Sequence, residues 1–113
     1  MIFVTGPLFA GKREYIQSAL NWTDEEFLEK AVADVQNLAA EADTPEKLQA
    51  LADVLARKEV VIAVEVGGGV VPLDPEERKN REAAGRLGCL LAARAQTVIR
   101  VCCGLPQFLK GGL

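Results

Sequence analysis

The first thirteen residues, MIFVTGPLFAGKR, constrain the fold more than any other stretch. Met1 to Thr5 is a short apolar, β-branched run of the kind that forms a fully buried strand. It breaks at Gly6, and Gly11-Lys12 follows after four residues. That spacing, G-x-x-x-x-G-K, is the frame of a phosphate-binding loop between a strand and a helix. Glycines are needed because successive backbone N–H groups must turn inward around a phosphate, where side chains would block the approach. A helix is needed because its first turn adds orphan N–H groups and the positive end of a dipole. Lys12 then acts as a point charge on the outer phosphates. The next position, a magnesium-holding Ser or Thr in the complete motif, is Arg13. An ordinary strand-to-helix turn with a surface lysine shares this bare spacing. The strand before it and the amphipathic helix after it favour the phosphate loop.

A chain of 113 residues, half of them apolar, is expected to form one domain, 1–113, with a substantial core. The net charge of −3 and the lack of a basic run argue against nucleic acid as the main partner. No apolar stretch is long enough to cross a bilayer and no secretory signal is visible, so the expected location is cytoplasmic. Three cysteines imply no closed disulfide framework. Cys89, Cys102 and Cys103 all sit in predicted helix or strand and read as small buried hydrophobes rather than redox or metal groups. The chain contains no histidine, which excludes any imidazole base, ligand or phosphoryl carrier within it.

Further along, the pattern predicts a helix from Lys12 to about Leu20, with Tyr15, Ile16 and Leu20 on one side. Thr23 and Glu26 form a capping box for a second helix starting at Asp24. Its apolar stripe, Phe27, Leu28, Ala31, Val32, Val35, Leu38, Ala39 and Ala42, predicts one continuous helix to Ala42. Thr44-Pro45 starts a third helix, buried through Leu48, Leu51, Ala52 and Leu55. Glu59–Val64 reads as a second strand covered on both faces, ending in the glycine-rich turn from Glu65 to Gly69. Asp74-Pro75 starts a fourth helix to about Ala95. Thr97 to Cys103 is the third strand, which Gly104-Leu105-Pro106 ends, leaving a frayed tail.

The alternation implies an α/β fold: a small three-layer domain with a parallel sheet of about three strands. Open edges on so small a sheet call for a cover, and another copy of the chain would supply it. Ligands of open parallel sheets bind beyond the carboxyl ends of the strands. The glycine loop, Glu65 and Gly104 all lie there. Glu65 suits a magnesium-holding or base-positioning acid; a solvated charge ending a strand is the equal alternative.

The stretch VEVGGGVVPLDPEERKNREAAGRLGCLLAARAQTVIRVCCGLPQFLK resembles the C-terminal half of the adenosylcobinamide kinase/adenosylcobinamide-phosphate guanylyltransferase family of cobalamin biosynthesis. Glu65, Val66, Gly67, Gly69, Val71 and Pro72 match its N-E-V-G-x-G-[IV]-V-P block. Arg78, Arg81, Glu82, Gly85, Arg86, Leu91 and Ala92 fall on R-x-x-R-[DE]-x-x-G-R-x-N-Q-x-L-A. Val98, Val101, Gly104, Pro106, Leu109 and Lys110 fall on V-x-x-V-x-x-G-[IL]-P-x-x-L-K, and the N-terminal loop matches the family's own. The resemblance implies a P-loop NTPase-like fold, ATP or GTP as the nucleotide with magnesium, a corrinoid substrate and a homotrimer. It implies nucleotide contacts at Thr5, Gly6, Ala10, Gly11, Lys12 and Arg13, catalytic roles for Lys12 and Glu65, and further candidates at Gly67, Arg81 and Arg86.

The departures from the family bear on activity. Its S-G-K-S loop is Ala10-Gly11-Lys12-Arg13 here, so both hydroxyls are gone. Val64 replaces the asparagine before E-V-G, and Gly88-Cys89 replaces the N-Q pair. The region between the loop and the third helix is much shorter and lacks the segment with the guanylylated histidine and the acidic-Cys-x-Thr-x-Trp motif. Guanylyl transfer through a histidine is therefore not expected. A reduced kinase acting on a corrinoid alcohol and a non-catalytic nucleotide- or corrinoid-binding module both remain open. A purely structural oligomerisation domain is the weaker alternative, because Gly11-Lys12 and Glu65 are retained.

Overall fold

Ile2–Gly6 forms β1 because its side chains can be buried on both faces, and the sheet is built around it. The computed structural model describes residues 1–66 and 73–113. After β1 come α1 (Lys12–Leu20), α2 (Asp24–Lys30), β2 (Ala31–Val32), a 3-10 helix (Val35–Glu41) and α3 (Pro45–Leu55). β3 (Val60–Val64), α4 (Pro75–Arg94), β4 (Thr97–Cys102) and β5 (Leu105–Lys110) complete the order. The sheet runs β2-β3-β1-β4-β5. β1 is parallel to β3, from Ile2 opposite Val60 to Gly6 opposite Val64, and parallel to β4, with Thr5 opposite Arg100.

Strand alternation sorts the core into two halves. Phe3, Val61, Ala63 and Val98 face the 3-10 helix, α3 and α4, burying Val35, Ala39, Leu48, Ala52, Leu87 and Leu91. Val4, Val60, Ile62, Ile99 and Val101 face the other way, against Ile16 of α1 and Phe27 of α2. The three-layer α/β arrangement expected from the sequence is therefore present. Helix starts are capped as their sequences require. Thr23 and Glu26 close a capping box, Thr44 accepts from the Lys47 amide, and Asp74 accepts from the Glu76 amide. Caps of this kind are each worth about 1 kcal/mol.

Four expectations are corrected. The sheet has five strands rather than three. The helix expected from Asp24 to Ala42 stops at Lys30, because Ala31 turns extended and Ala31–Val32 pairs with Val60–Val61 as β2. Asp34 then takes a left-handed conformation (φ 57°), and Val35–Glu41 winds as a 3-10 helix instead. Pairing to the open side of β3 outweighs local helix preference, while Val35, Ala39 and Ala42 still reach the core. The tail expected to fray is β5, antiparallel to β4. Cys103 (φ 53°) and Gly104 (φ 73°) are both left-handed, as a two-residue hairpin of the primed type demands. Lys110 Nζ anchors the strand by donating to the carbonyls of Ala92 (3.1 Å) and Ala93 (3.3 Å) at the end of α4.

The cysteines are the fourth correction: all are free and exposed. Cys102 ends β4 and Cys103 forms the turn, beyond the reach of the covering helices. No helix among the described residues is long and apolar enough to cross a membrane.

At Gly6 (φ 152°) an added Cβ would stand 2.1 Å from the Val101 carbonyl oxygen, so neither the backbone nor the space admits a side chain. Gly6→Ala is expected to cost about 3 kcal/mol or more. Gly88→Ala, with nothing within 4 Å of the added methyl, is expected to stabilise α4 by about 1 kcal/mol. Urea unfolding midpoints that move together in the two variants would overturn this account of the end of β1.

Candidate functional site

β1 delivers the chain into the glycine loop at the carboxyl end of the sheet. Neighbours on both sides hold the loop there. The Glu65 amide donates to the Gly6 carbonyl (2.8 Å), and the Gly104 amide donates to the Ala10 carbonyl (2.8 Å). Phe9, at the tip, is left-handed (φ 59°) and 94% exposed. Gly11 (φ 85°) is the N-cap of α1 and supplies no side-chain acceptor to the helix's first N–H groups. Lys12 is buried, at 8% exposure, and its Nζ donates to the Pro7 carbonyl at 2.7 Å. The ammonium thus closes the loop on its own backbone.

Across the mouth of β1 lies an ion pair. Arg100 on β4 donates from Nε to Glu65 Oε1 (2.6 Å) and from Nη2 to Glu65 Oε2 (2.9 Å). β1 separates the two parent strands, so the pair bridges over the strand end at Thr5 and Gly6. The Arg100 guanidinium holds the Glu65 carboxyl below its usual range, against a smaller opposing effect of burial; Lys12's charge acts in the same direction as Arg100. Arg100 in turn is raised above its ordinary value, chiefly by the hydrogen bond to Glu65.

The structure brings Thr5, Gly6, Ala10, Gly11, Lys12 and Glu65 together at one end of the sheet. Arg13 is directed elsewhere. Its guanidinium donates to Gln17 Oε1 (3.1 Å) and Asp24 Oδ1 (3.5 Å) and lies 4.3 Å from the Phe27 ring centre, stitching α1 to α2. Arg86 pairs with Glu82 one turn away on α4, and Arg81 is half-buried on the same helix. Gly67 lies outside the described residues. Beside the loop is a cavity of about 400 Å³, lined by Gly11, Glu14, Tyr15, Ser18, Ala19 and Gly104.

Sequence reasoning missed Arg100. A single charge inside the apolar run Thr97–Cys102 was the available signal, since a charge in a doubly covered strand needs a partner near the strand end.

Phosphate suits these residues: glycine amides, a helix start and a buried lysine converge on one loop. Magnesium does not. Arg13 stands where a hydroxyl would ligate it, and both Glu65 oxygens are engaged by Arg100. Among the described residues no group of three or more His, Cys, Asp or Glu side chains could hold a metal.

A mostly parallel sheet with helices on both faces, and a glycine loop joining its central strand to a helix, defines a P-loop NTPase-like α/β protein. The family model described as cobinamide kinase / cobinamide phosphate guanyltransferase matches residues 15–109, and the chain belongs to that family of cobalamin biosynthesis. The match begins at Tyr15, just past the glycine loop. A comparison with curated proteins finds no match.

The Glu65 carboxyl, lowered in the folded chain from an ordinary 4.5, contributes stability that is present above that value. This contribution is lost as pH falls through the lowered folded value. The stability advantage of the wild type over Glu65→Gln should therefore be full at pH 7 and shrink below about pH 4.5. Urea titrations of both proteins at neutral and acid pH check this. An advantage that grows on acidification would contradict the pairing.

Proposed function

We propose that the chain binds the outer phosphates of ATP or GTP in the Gly6–Lys12 loop, as a reduced member of its family that retains the phosphoryl-transfer half, with a cobinamide-type alcohol as acceptor. The observation that carries the reading is Lys12: a buried ammonium beneath a glycine loop, with a neutral carbonyl as its hydrogen-bond acceptor. Phosphate oxygens are stronger acceptors for it than the Pro7 carbonyl. The loop amides and the start of α1 would orient the phosphates, and Lys12 would offset charge developing during transfer. The cavity beside Gly11 offers space for the rest of the nucleotide. Guanylyl transfer through a histidine is left out, because the chain has none.

A second reading, binding without turnover, is favoured by Arg13 in the hydroxyl position and by the engagement of Glu65. One experiment addresses both readings. ATP and GTP are titrated into the wild type and Lys12→Ala, then incubated with cobinamide to follow loss of the γ-phosphate. Losing a charged hydrogen bond costs about 1.5–3 kcal/mol, so Lys12→Ala should bind about ten- to a hundredfold more weakly. Phosphorylated cobinamide would establish the kinase. Binding alone would establish the module, and equal affinities in the two proteins would remove the loop from the function.

The same reading includes self-association, with the trimer implied by the family resemblance as its expected form. The edge strand β5 is exposed along its whole length, including Leu105, Phe108 and Leu109. An uncovered edge of this kind favours a second chain. Sedimentation at micromolar concentration should show an oligomer; a monomer alone would refute it.

A further inference from the structure

We infer that Arg100 takes the charge-neutralising place that magnesium holds in a complete phosphate loop, exchanging Glu65 for phosphate oxygens when the anion binds. The inference rests on the phosphate-loop reading and goes beyond it by naming the cation. Three observations carry it. The first is position. Arg100 lies opposite Thr5, and Glu65 is tied through its amide to Gly6, so their bridge crosses the strand end from which the loop springs. The charge of Lys12, under the same loop, reaches the Glu65 carboxylate.

The second observation is freedom to move. The Arg100 and Glu65 side chains are 35% and 36% exposed, so no core packing locks the guanidinium in its present place. Its fork of donors fits phosphate as well as carboxylate, and a polyphosphate offers more charge than one carboxylate does. A phosphate entering the loop also repels the Glu65 carboxylate, which favours the exchange from the other side.

The third observation is the failure of magnesium to fit. The hydroxyl is absent, Glu65 is engaged, and Arg13 is held by Gln17, Asp24 and the Phe27 ring. In the free chain Arg100 occupies the carboxylate that would ligate a metal, and once moved onto the phosphate it puts a guanidinium where that metal would sit.

The test is calorimetric titration of inorganic triphosphate into the full chain, in EDTA and with magnesium, for the wild type, Arg100→Gln and Glu65→Gln. The wild type should gain nothing from magnesium. Arg100→Gln should bind about ten- to a hundredfold more weakly in EDTA and should recover affinity with magnesium, because no guanidinium then occupies the place beside Glu65 where the metal would sit. Glu65→Gln should bind more tightly than the wild type in EDTA, because it removes both the competitor for Arg100 and a repelling charge. A merely structural ion pair would move stability in both variants but would not move metal-free affinity in opposite directions. Should Arg100→Gln fail to fold, Arg100→Lys keeps the charge without the fork; it should bind more weakly than the wild type in EDTA.

The inference is overturned by a wild-type affinity that rises about tenfold or more with magnesium, or by both substitutions shifting metal-free affinity in one direction. If triphosphate binding is strong and depends on Lys12 but not on Arg100, this inference alone falls. If triphosphate does not bind, the loop reading falls with it.

Discussion

The fit of Gly6 against the Val101 carbonyl decides where everything at the site can be. β1 lies between β3 and β4, and its last residue presses so close to β4 that no side chain is admitted. The loop that follows starts from a fixed point, and neighbouring donors then account for four of its carbonyls. Gly6 is held by Glu65, Pro7 by Lys12 and by the Ala10 amide, Ala10 by Gly104, and Gly11 by Tyr15. Carbonyl oxygens are the half of the backbone that would repel a phosphate. Tying these four into the protein leaves them less free to repel an anion.

The parts of the fold legible in the sequence were those whose pattern had one solution. Met1–Thr5 and Glu59–Val64 read as doubly buried strands and Thr97–Cys103 as a third strand, and they became the central β3-β1-β4 ladder. Thr23–Glu26, Thr44–Pro45 and Asp74–Pro75 read as helix starts because each cap is a local arrangement of a few atoms. The segment from Ala31 to Ala42 was not legible, since one apolar spacing serves a helix or a short strand followed by a 3-10 turn. The choice is made by the vacant side of β3, which is remote in sequence. β5 was missed for a related reason. Its hairpin turns on Cys103-Gly104, and cysteine is not among the residues that usually announce left-handed backbone.

The site divides in the same way. Lys12, Gly6 and Gly11 belong to a contiguous motif, and Glu65 ends a recognisable strand, so local reasoning reached them. Arg100 acts through a partner 35 residues away, just past the end of a strand that β1 separates from its own. Nothing beside it in sequence names Glu65 as that partner. Arg13 shows the converse. Its place in the motif suggested phosphate, but Phe27, Asp24 and Gln17 offer a ring face and acceptors close by. The side chain follows its nearest favourable contacts rather than the motif.

Burial then explains why the charges collect as they do. Strands covered on both faces have little place for a charged side chain along their length, so charge emerges where the strands end. Lys12, Glu65 and Arg100 meet at that boundary and carry a net positive charge between them. Lys12 can offer three hydrogen bonds, yet donates one to a neutral carbonyl, and a buried ammonium so lightly paired is costly to hold. Glu65 relieves part of that cost at a distance, while its own oxygens are taken by Arg100. An anion of several charges could satisfy Lys12 and Arg100 together, which one carboxylate cannot do. Because the cluster is partly open to solvent, salt will weaken its pull on an approaching polyanion, but it acts least on the buried lysine at the bottom of the loop. On the proposed reading, the half-buried arginine would meet an anion before the buried lysine does, and the loop with Lys12 would fix its final position.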